Sequence, residues 1–175
     1  PEILEFLKSY TDLGIISVLI FIFVGVLLTI AVQSSSAAMT ITITMAYSGW
    51  IDFPTACALV LGENIGTTIT AYLASLNANY HAKRTARAHM IFNLFGVIWM
   101  LIAFKMFIPF IDYIVPGDPY IPRYLAGVEN PLFDPATIPI HLSMFHTLFN
   151  IMNVLFLIWF VPQIASIVER MVKPS

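Results

Sequence analysis

Residues 33–36 read Gln-Ser-Ser-Ser, in the most apolar part of the chain, with no Lys or Arg nearby. Hydroxyls and free N–H groups at a helix start can donate to an oxyanion, helped by the positive end of the helix dipole. Carbonyls at the end of a preceding half-helix can hold a cation. Gln33, Ser34, Ser35 and Ser36 are therefore candidates for an ion and oxyanion site. The bland alternative is helix packing through small polar residues. That suits small residues at every fourth position rather than a contiguous run.

Residues 62–68 read Gly-Glu-Asn-Ile-Gly-Thr-Thr and interrupt another apolar run. Two glycines in a polar cluster predict a helix broken halfway, whose unwound backbone and hydroxyls would serve a cation. The alternative is a flexible kink. Asn64, Thr67 and Thr68 become candidates, and Thr40 joins them as a cation ligand. Glu63 is an acid within a membrane segment, where acids carry Na⁺ or protons; a neutral, hydrogen-bonded carboxyl is the alternative. The chain also repeats H-x-x-F-N, at His89–Asn93 and His146–Asn150. His and Asn at i, i+4 share a helix face. His89, Asn93, His146 and Asn150 predict a polar seam between two packed helices or, more sharply, a proton or cation relay. Asn153 lies one turn further on. His141 is placed near the outer interface with no role, and Cys57 is read as packing.

These groups need a scaffold. Of 175 residues, 59% are hydrophobic and 10% charged, against roughly 25% charged in soluble domains. That composition predicts an integral membrane protein. A net charge of -2 gives no reason to expect a nucleic-acid partner, and the single cysteine excludes an internal disulfide. There is no HExxH motif, no Cys/His metal cluster and no P-loop lysine. The sequence begins at Pro1 without a signal-peptide layout and is expected to come from a longer protein.

The expected plan is an interfacial lead-in at 1–12, then a re-entrant hairpin and broken helix over 13–76. A basic loop at 77–89, a span at 90–108, a proline-rich loop at 109–139, a span at 140–161 and a polar end at 162–175 follow. The hairpin tip falls at Gln33–Ser36, because 13–46 is too long for one span and short for two. The Thr40–Thr42–Thr44 alternation has strand periodicity, but an open strand in lipid leaves backbone groups unpaired. A helix is expected, with Thr40 and Thr44 on one face and Thr42 pointing away. The positive-inside rule places Lys83, Arg84 and Arg87 in the cytoplasm with the C-terminus, and 109–139 outside. His81 and these basic residues are assigned to topology alone.

At QSSSA, GENIGTTITA, HAKRTARAHMIFNLFGV and FHTLFNIMN the chain resembles the sodium-dependent phosphate (Na/Pi) cotransporter family. The resemblance covers most of residues 13–161 and implies Na⁺-coupled uptake of inorganic phosphate by alternating access. QSSS occurs in that family once in each of two inverted repeats. The resemblance thus implies an all-α membrane protein forming one half of an inverted-repeat transporter, with a partner repeat carrying a second QSSS. The full set would be a re-entrant hairpin, a broken helix and two further transmembrane helices.

The resemblance also assigns roles. It implies phosphate contacts from Gln33, Ser34, Ser35, Ser36, Asn64, Thr67 and Thr68. It implies Na⁺ contacts from Gln33, Ser35, Ser36, Asn64 and Thr67, and the expected Na⁺ set adds Thr40 and Glu63 from this sequence itself. The family's form of the second motif is GANIGTT, and Glu63 stands in place of its Ala. The expected partners are phosphate, Na⁺ and the lipid bilayer, with no cofactor and no nucleic acid. Other readings are a carrier of sulfate or a carboxylate, a membrane phosphate sensor or scaffold, and an intramembrane serine hydrolase pairing Ser34–Ser36 with His89 or His146.

Overall fold

A computed structural model describes residues 14–125 and 127–174; the expected lead-in at 1–12 lies outside them. Among the described residues the chain forms α1 (Ile15–Val32), α2 (Ser35–Tyr47), α3 (Phe53–Ser75), α4 (Tyr80–Ile114), α5 (Thr137–Leu157) and α6 (Val161–Met171). A 3₁₀ turn, Ile158–Phe160, joins α5 to α6, and a two-stranded hairpin, β1 (Tyr124–Leu125) with β2 (Val128–Glu129), lies in the α4–α5 connection. Three stretches are long and apolar enough to cross a membrane: Ile15–Val32, Tyr80–Ile114 and Thr137–Met171. Large apolar side chains cover the outside, with Ile102 84% and Trp159 81% exposed. This is an all-α membrane protein whose outer surface suits lipid.

The break between α1 and α2 falls at Gln33 and Ser34. Gln33 has φ 56, and its N–H closes α1 onto the Thr29 carbonyl at 2.7 Å. Ser34 is extended and caps α2, accepting from the Ala37 N–H at 3.3 Å. The Thr40–Thr44 alternation is helical, as expected: Thr40 and Thr44 are exposed while Thr42 is buried. Asp52 caps α3 by accepting from the Thr55 N–H at 2.9 Å, with Pro54 in the first turn. Asn79 does the same for α4 through the Ala82 N–H at 2.9 Å.

Helices α1 and α3 run side by side in the same direction. Ser17, Val18 and Phe21 share one cavity with Pro54, Thr55 and Ala58, while Thr29 meets Gly66 further along. Helix α2 runs back between these ends, from Ser35 near Asn64 and Thr67 to Ala46 near Ile51 and Phe53. The hairpin thus starts and finishes at the same end of the bundle.

The expected break in α3 is absent. The helix is continuous from Phe53 to Ser75, through both glycines. The glycines serve packing instead. A Cβ on Gly62 would land on the Ile22 carbonyl oxygen, and one on Gly66 would sit 2.6 Å from Thr29 Cβ. From the other side, a Cβ on Gly25 would strike the Leu59 carbonyl. Glycines four residues apart lie on one face and let two backbones close in. The polar residues do not force unwinding either, because their side chains bond back to the same helix. Asn64 Nδ2 donates to the Val60 carbonyl at 2.9 Å, Thr67 Oγ1 to Glu63 at 2.9 Å and Thr68 Oγ1 to Ile65 at 2.7 Å.

Two other boundaries differ. Residues 80–89, expected in a loop, open α4 as helix, and α4 continues through Pro109 to Ile114. Substituting Gly62 with Val is expected to force α1 off α3, at a cost of about 1–3 kcal/mol or more. The thermal midpoint of the purified full-length protein in detergent would read it, with Ser143→Val, on an exposed face, as the control.

Candidate functional site

The cap at Ser34 sets the first turn of α2. The opening N–H groups of any helix stand outside its ladder, and Ser34 takes up that of Ala37. Ser34 Oγ and Ser36 Oγ are 3.2 Å apart. Thr40 Oγ1 donates to the Ser36 carbonyl at 2.8 Å, and Thr44 Oγ1 to Thr40 at 2.7 Å.

Beside this turn lies a cavity of about 430 Å³ to which four helices contribute. From α2 come Ser35, Ser36 and Met39; from α3, Val60, Glu63, Asn64 and Thr67. Helix α4 gives His89, Phe92 and Asn93, and α5 gives His146 and Asn150. Both sequence motifs and both H-x-x-F-N repeats therefore meet at one place. Among the described residues, no Lys or Arg lines it. A larger cavity of about 520 Å³ between α1, α3 and α4 is apolar but for its rim and holds none of the motif residues.

Hydrogen bonding divides the walls by chemistry. Asn64, Asn93 and Asn150 each donate one N–H of the amide to the carbonyl four residues back, at 2.9, 3.2 and 2.8 Å. Thr67 spends its O–H in the same way. What remains on α3, α4 and α5 is mixed but rich in oxygen: three amide carbonyls, a threonine lone pair and the Glu63 carboxyl, beside the second N–H of each amide and the imidazoles of His89 and His146. Glu63 is 3% exposed and accepts from Thr42 Oγ1 at 2.6 Å. The start of α2 adds serine hydroxyls and a helix N-terminus. One cavity thus joins oxygens of the kind a hard cation takes to a donor end suited to an anion.

Nine expected residues line this cavity: Ser35, Ser36, Glu63, Asn64, Thr67, His89, Asn93, His146 and Asn150. Four do not. Gln33 is an exposed link, Ser34 is a cap, Thr40 is exposed along α2 and Thr68 is buried against its own helix. Thr42 had no assigned role, yet it is the partner of Glu63; its position opposite Thr40 and Thr44 was the available signal.

The seam between α4 and α5 is made elsewhere than by the paired Asn residues. Asn153, fully buried, donates to the Phe92 carbonyl at 3.0 Å and accepts from Trp99 Nε1 at 3.2 Å. Gly96 leaves it room: a Cβ there would lie 2.6 Å from Asn153 Nδ2. Stacking of Trp99 on Phe149, with centroids 5.9 Å apart, extends the seam.

His141 is fully buried, near the start of α5. Its Nδ1 lies 2.8 Å from the Thr137 carbonyl, and its Nε2 is 3.7 Å from Asp112 Oδ1 with no hydrogen-bond partner. Its ring packs edge-on against Phe53, 5.6 Å between centroids. The bond back to Thr137 satisfies one nitrogen, which allows the ring into the core.

Residues 3–111 match the family model described as Na+/Pi-cotransporter. The chain is 36% identical over 107 residues to "Uncharacterized protein YqeW" of Bacillus subtilis, an alignment covering 61% of this chain and 28% of that protein. It is 27% identical over 130 residues to "Putative inorganic phosphate export protein YjbB" of Salmonella typhimurium, and 28% over 131 residues to the protein of that name in Escherichia coli K12. Each of these two alignments covers 74% of this chain and 20% of the relative. The chain therefore spans well under a third of the length of these relatives. No solved structure matches it.

Replacing Asn153 with Ala is expected to strand the Trp99 N–H and to remove the second donor on the Phe92 carbonyl, costing about 1–3 kcal/mol. A lowered thermal midpoint together with a shifted Trp99 emission maximum would show it.

Proposed function

The chain belongs to the Na+/Pi-cotransporter family, and from that premise we propose that it holds inorganic phosphate and Na⁺ together as part of a membrane carrier. The observation that carries this reading is one cavity that joins serine hydroxyls at a helix start to an oxygen-rich wall without any Lys or Arg. Ser35 and Ser36 donate to phosphate at the start of α2. Glu63, Asn64 and Thr67 offer oxygens to Na⁺, with Asn93 and Asn150 opposite them. The mechanism follows from charge. A fixed Lys or Arg would hold the anion in either protein state, whereas a mobile cation leaves with it. Each ion offsets the cost of burying the other, and by linkage each raises the other's affinity. Alternating access to the cavity then couples the two fluxes.

Helix α2 supports a partner repeat. Ser36, Thr40 and Thr44 form an exposed hydroxyl stripe along α2. A second repeat bearing its own QSSS would cover that stripe and complete the site, bringing Gln33 and Ser34 into it. Lys83, Arg84 and Arg87 at the start of α4 support, by the positive-inside rule, a reading with that end on the cytoplasmic side of the cell membrane and the α4–α5 connection outside.

The direction of net transport follows the gradients imposed. The family's description implies coupled movement, while the YjbB relatives are named for export, so flux belongs under test both ways. The protein acts as a carrier rather than a hydrolase. The family match supports this reading.

In proteoliposomes holding the full-length protein, Na⁺-dependent ³²P-phosphate flux is expected. Ser35→Ala should abolish it with folding intact, while Ser34→Ala should lose about 1 kcal/mol of stability through its cap. Glu63→Gln is expected to raise the Na⁺ half-saturation about tenfold, equivalent to 1.4 kcal/mol, with a smaller change for phosphate. Unchanged flux with choline in place of Na⁺ would overturn the coupling. Stronger competition by sulfate or a carboxylate than by phosphate would reassign the anion, and binding without flux would make the protein a sensor.

A further inference from the structure

The face of α4 that reaches the ion cavity does not stop there. His81, Arg84, Thr85, Ala88, His89 and Phe92 follow one another at helical spacing and line a second cavity of about 610 Å³, closed on its other side by α6. His89 and Phe92 line both cavities. The two spaces therefore adjoin across these two side chains, and the second reaches the start of α4.

Arg84 is the cation of that second space. Its Nε donates to the Val172 carbonyl at 3.0 Å, and its Nη1 lies 3.5 Å from Glu169 Oε1. Its side chain is 20% exposed, whereas that of Glu169 is 61% exposed. Exposed ion pairs of this kind are weak and exchangeable. A guanidinium receives a carboxylate or a phosphate through the same planar fork.

We propose that the space between α4 and α6 is a vestibule for the anion, with Arg84 as its capture residue and Glu169 as an internal carboxylate that an arriving oxyanion displaces. The ion cavity itself lacks Lys and Arg, so capture and holding are separated: a fixed positive charge concentrates the anion outside the site, and neutral groups hold it within. Loss of the Glu169 contact frees one of the two bonds by which Arg84 retains α6, leaving the Val172 carbonyl.

This proposal rests on phosphate being the cargo. The test uses full-length protein in oriented proteoliposomes, with phosphate supplied to the α4-start side. Arg84→Gln is expected to raise the phosphate KM about tenfold with kcat within about twofold, and Glu169→Gln to lower KM about threefold. Unchanged KM in both variants, or a fall in kcat alone, overturns the vestibule while leaving the carrier intact. No phosphate flux in the unsubstituted protein overturns the carrier and the vestibule together. A second readout does not depend on turnover. With other cysteines replaced, Thr85→Cys should be labelled by a membrane-impermeant thiol reagent from that side only, and phosphate should slow the labelling. Labelling from the opposite side, or no protection by phosphate, counts against the proposal.

Discussion

Backbone contact between α1 and α3 is the constraint on which the remaining geometry depends. Gly25, Gly62 and Gly66 bring the two helices so near that a single methyl group at any of the three would meet backbone or Thr29. With α1 seated, the chain must turn at Gln33 and Ser34 and return as α2 along α3. That return sets Ser35 and Ser36 beside Asn64 and Thr67, and Thr42 against Glu63. In lipid, apolar surface gives helices little reason to associate, so close van der Waals approach does much of the work. The polar residues of α3 can then face the cavity because its small residues face α1.

Much of this was legible in the residues. The uncharged run up to Ala31 announces a membrane helix, and QSSS marks where it must end. The cost of unpaired backbone in lipid makes the Thr40–Thr44 alternation a helix despite its strand periodicity. The two H-x-x-F-N repeats shared a purpose, since all four of their His and Asn residues meet in one cavity. What escaped was the role of glycine. Gly62 and Gly66 carry the same letters whether they unwind a helix or admit a neighbour, and the neighbour lies some 40 residues away in sequence (Ile22 to Gly62). His141 escaped for a similar reason: its acceptance into the core depends on Phe53 and Asp112, which no local pattern connects to it.

The cavity also shows how a membrane protein can handle charge with few fixed charges. Asn and Thr side chains on α3, α4 and α5 donate to their own helices. That habit is usually read as a quiet way of hiding polarity in lipid. Here it orients the amides, because one N–H of each is tied to its helix while its carbonyl oxygen and second N–H stay available. The wall is therefore mixed in character and rich in oxygen. Glu63 adds a carboxyl to it, and Thr42 holds that carboxyl in place.

Gln33 is the one non-glycine among the described residues with a left-handed backbone, at φ 56. Such a conformation costs a side-chain-bearing residue about 1–2 kcal/mol, and glycine would adopt it freely. Its side chain is exposed and takes no part in the cavity of this chain. Position 33 is therefore one where the backbone and the side chain make opposite demands. A protein engineer screening for thermal stability would be drawn to glycine there, and would remove the only group at the turn able to both donate and accept through an amide. Stability and sequence identity part company at that residue, which makes it a poor site for consensus by energy alone.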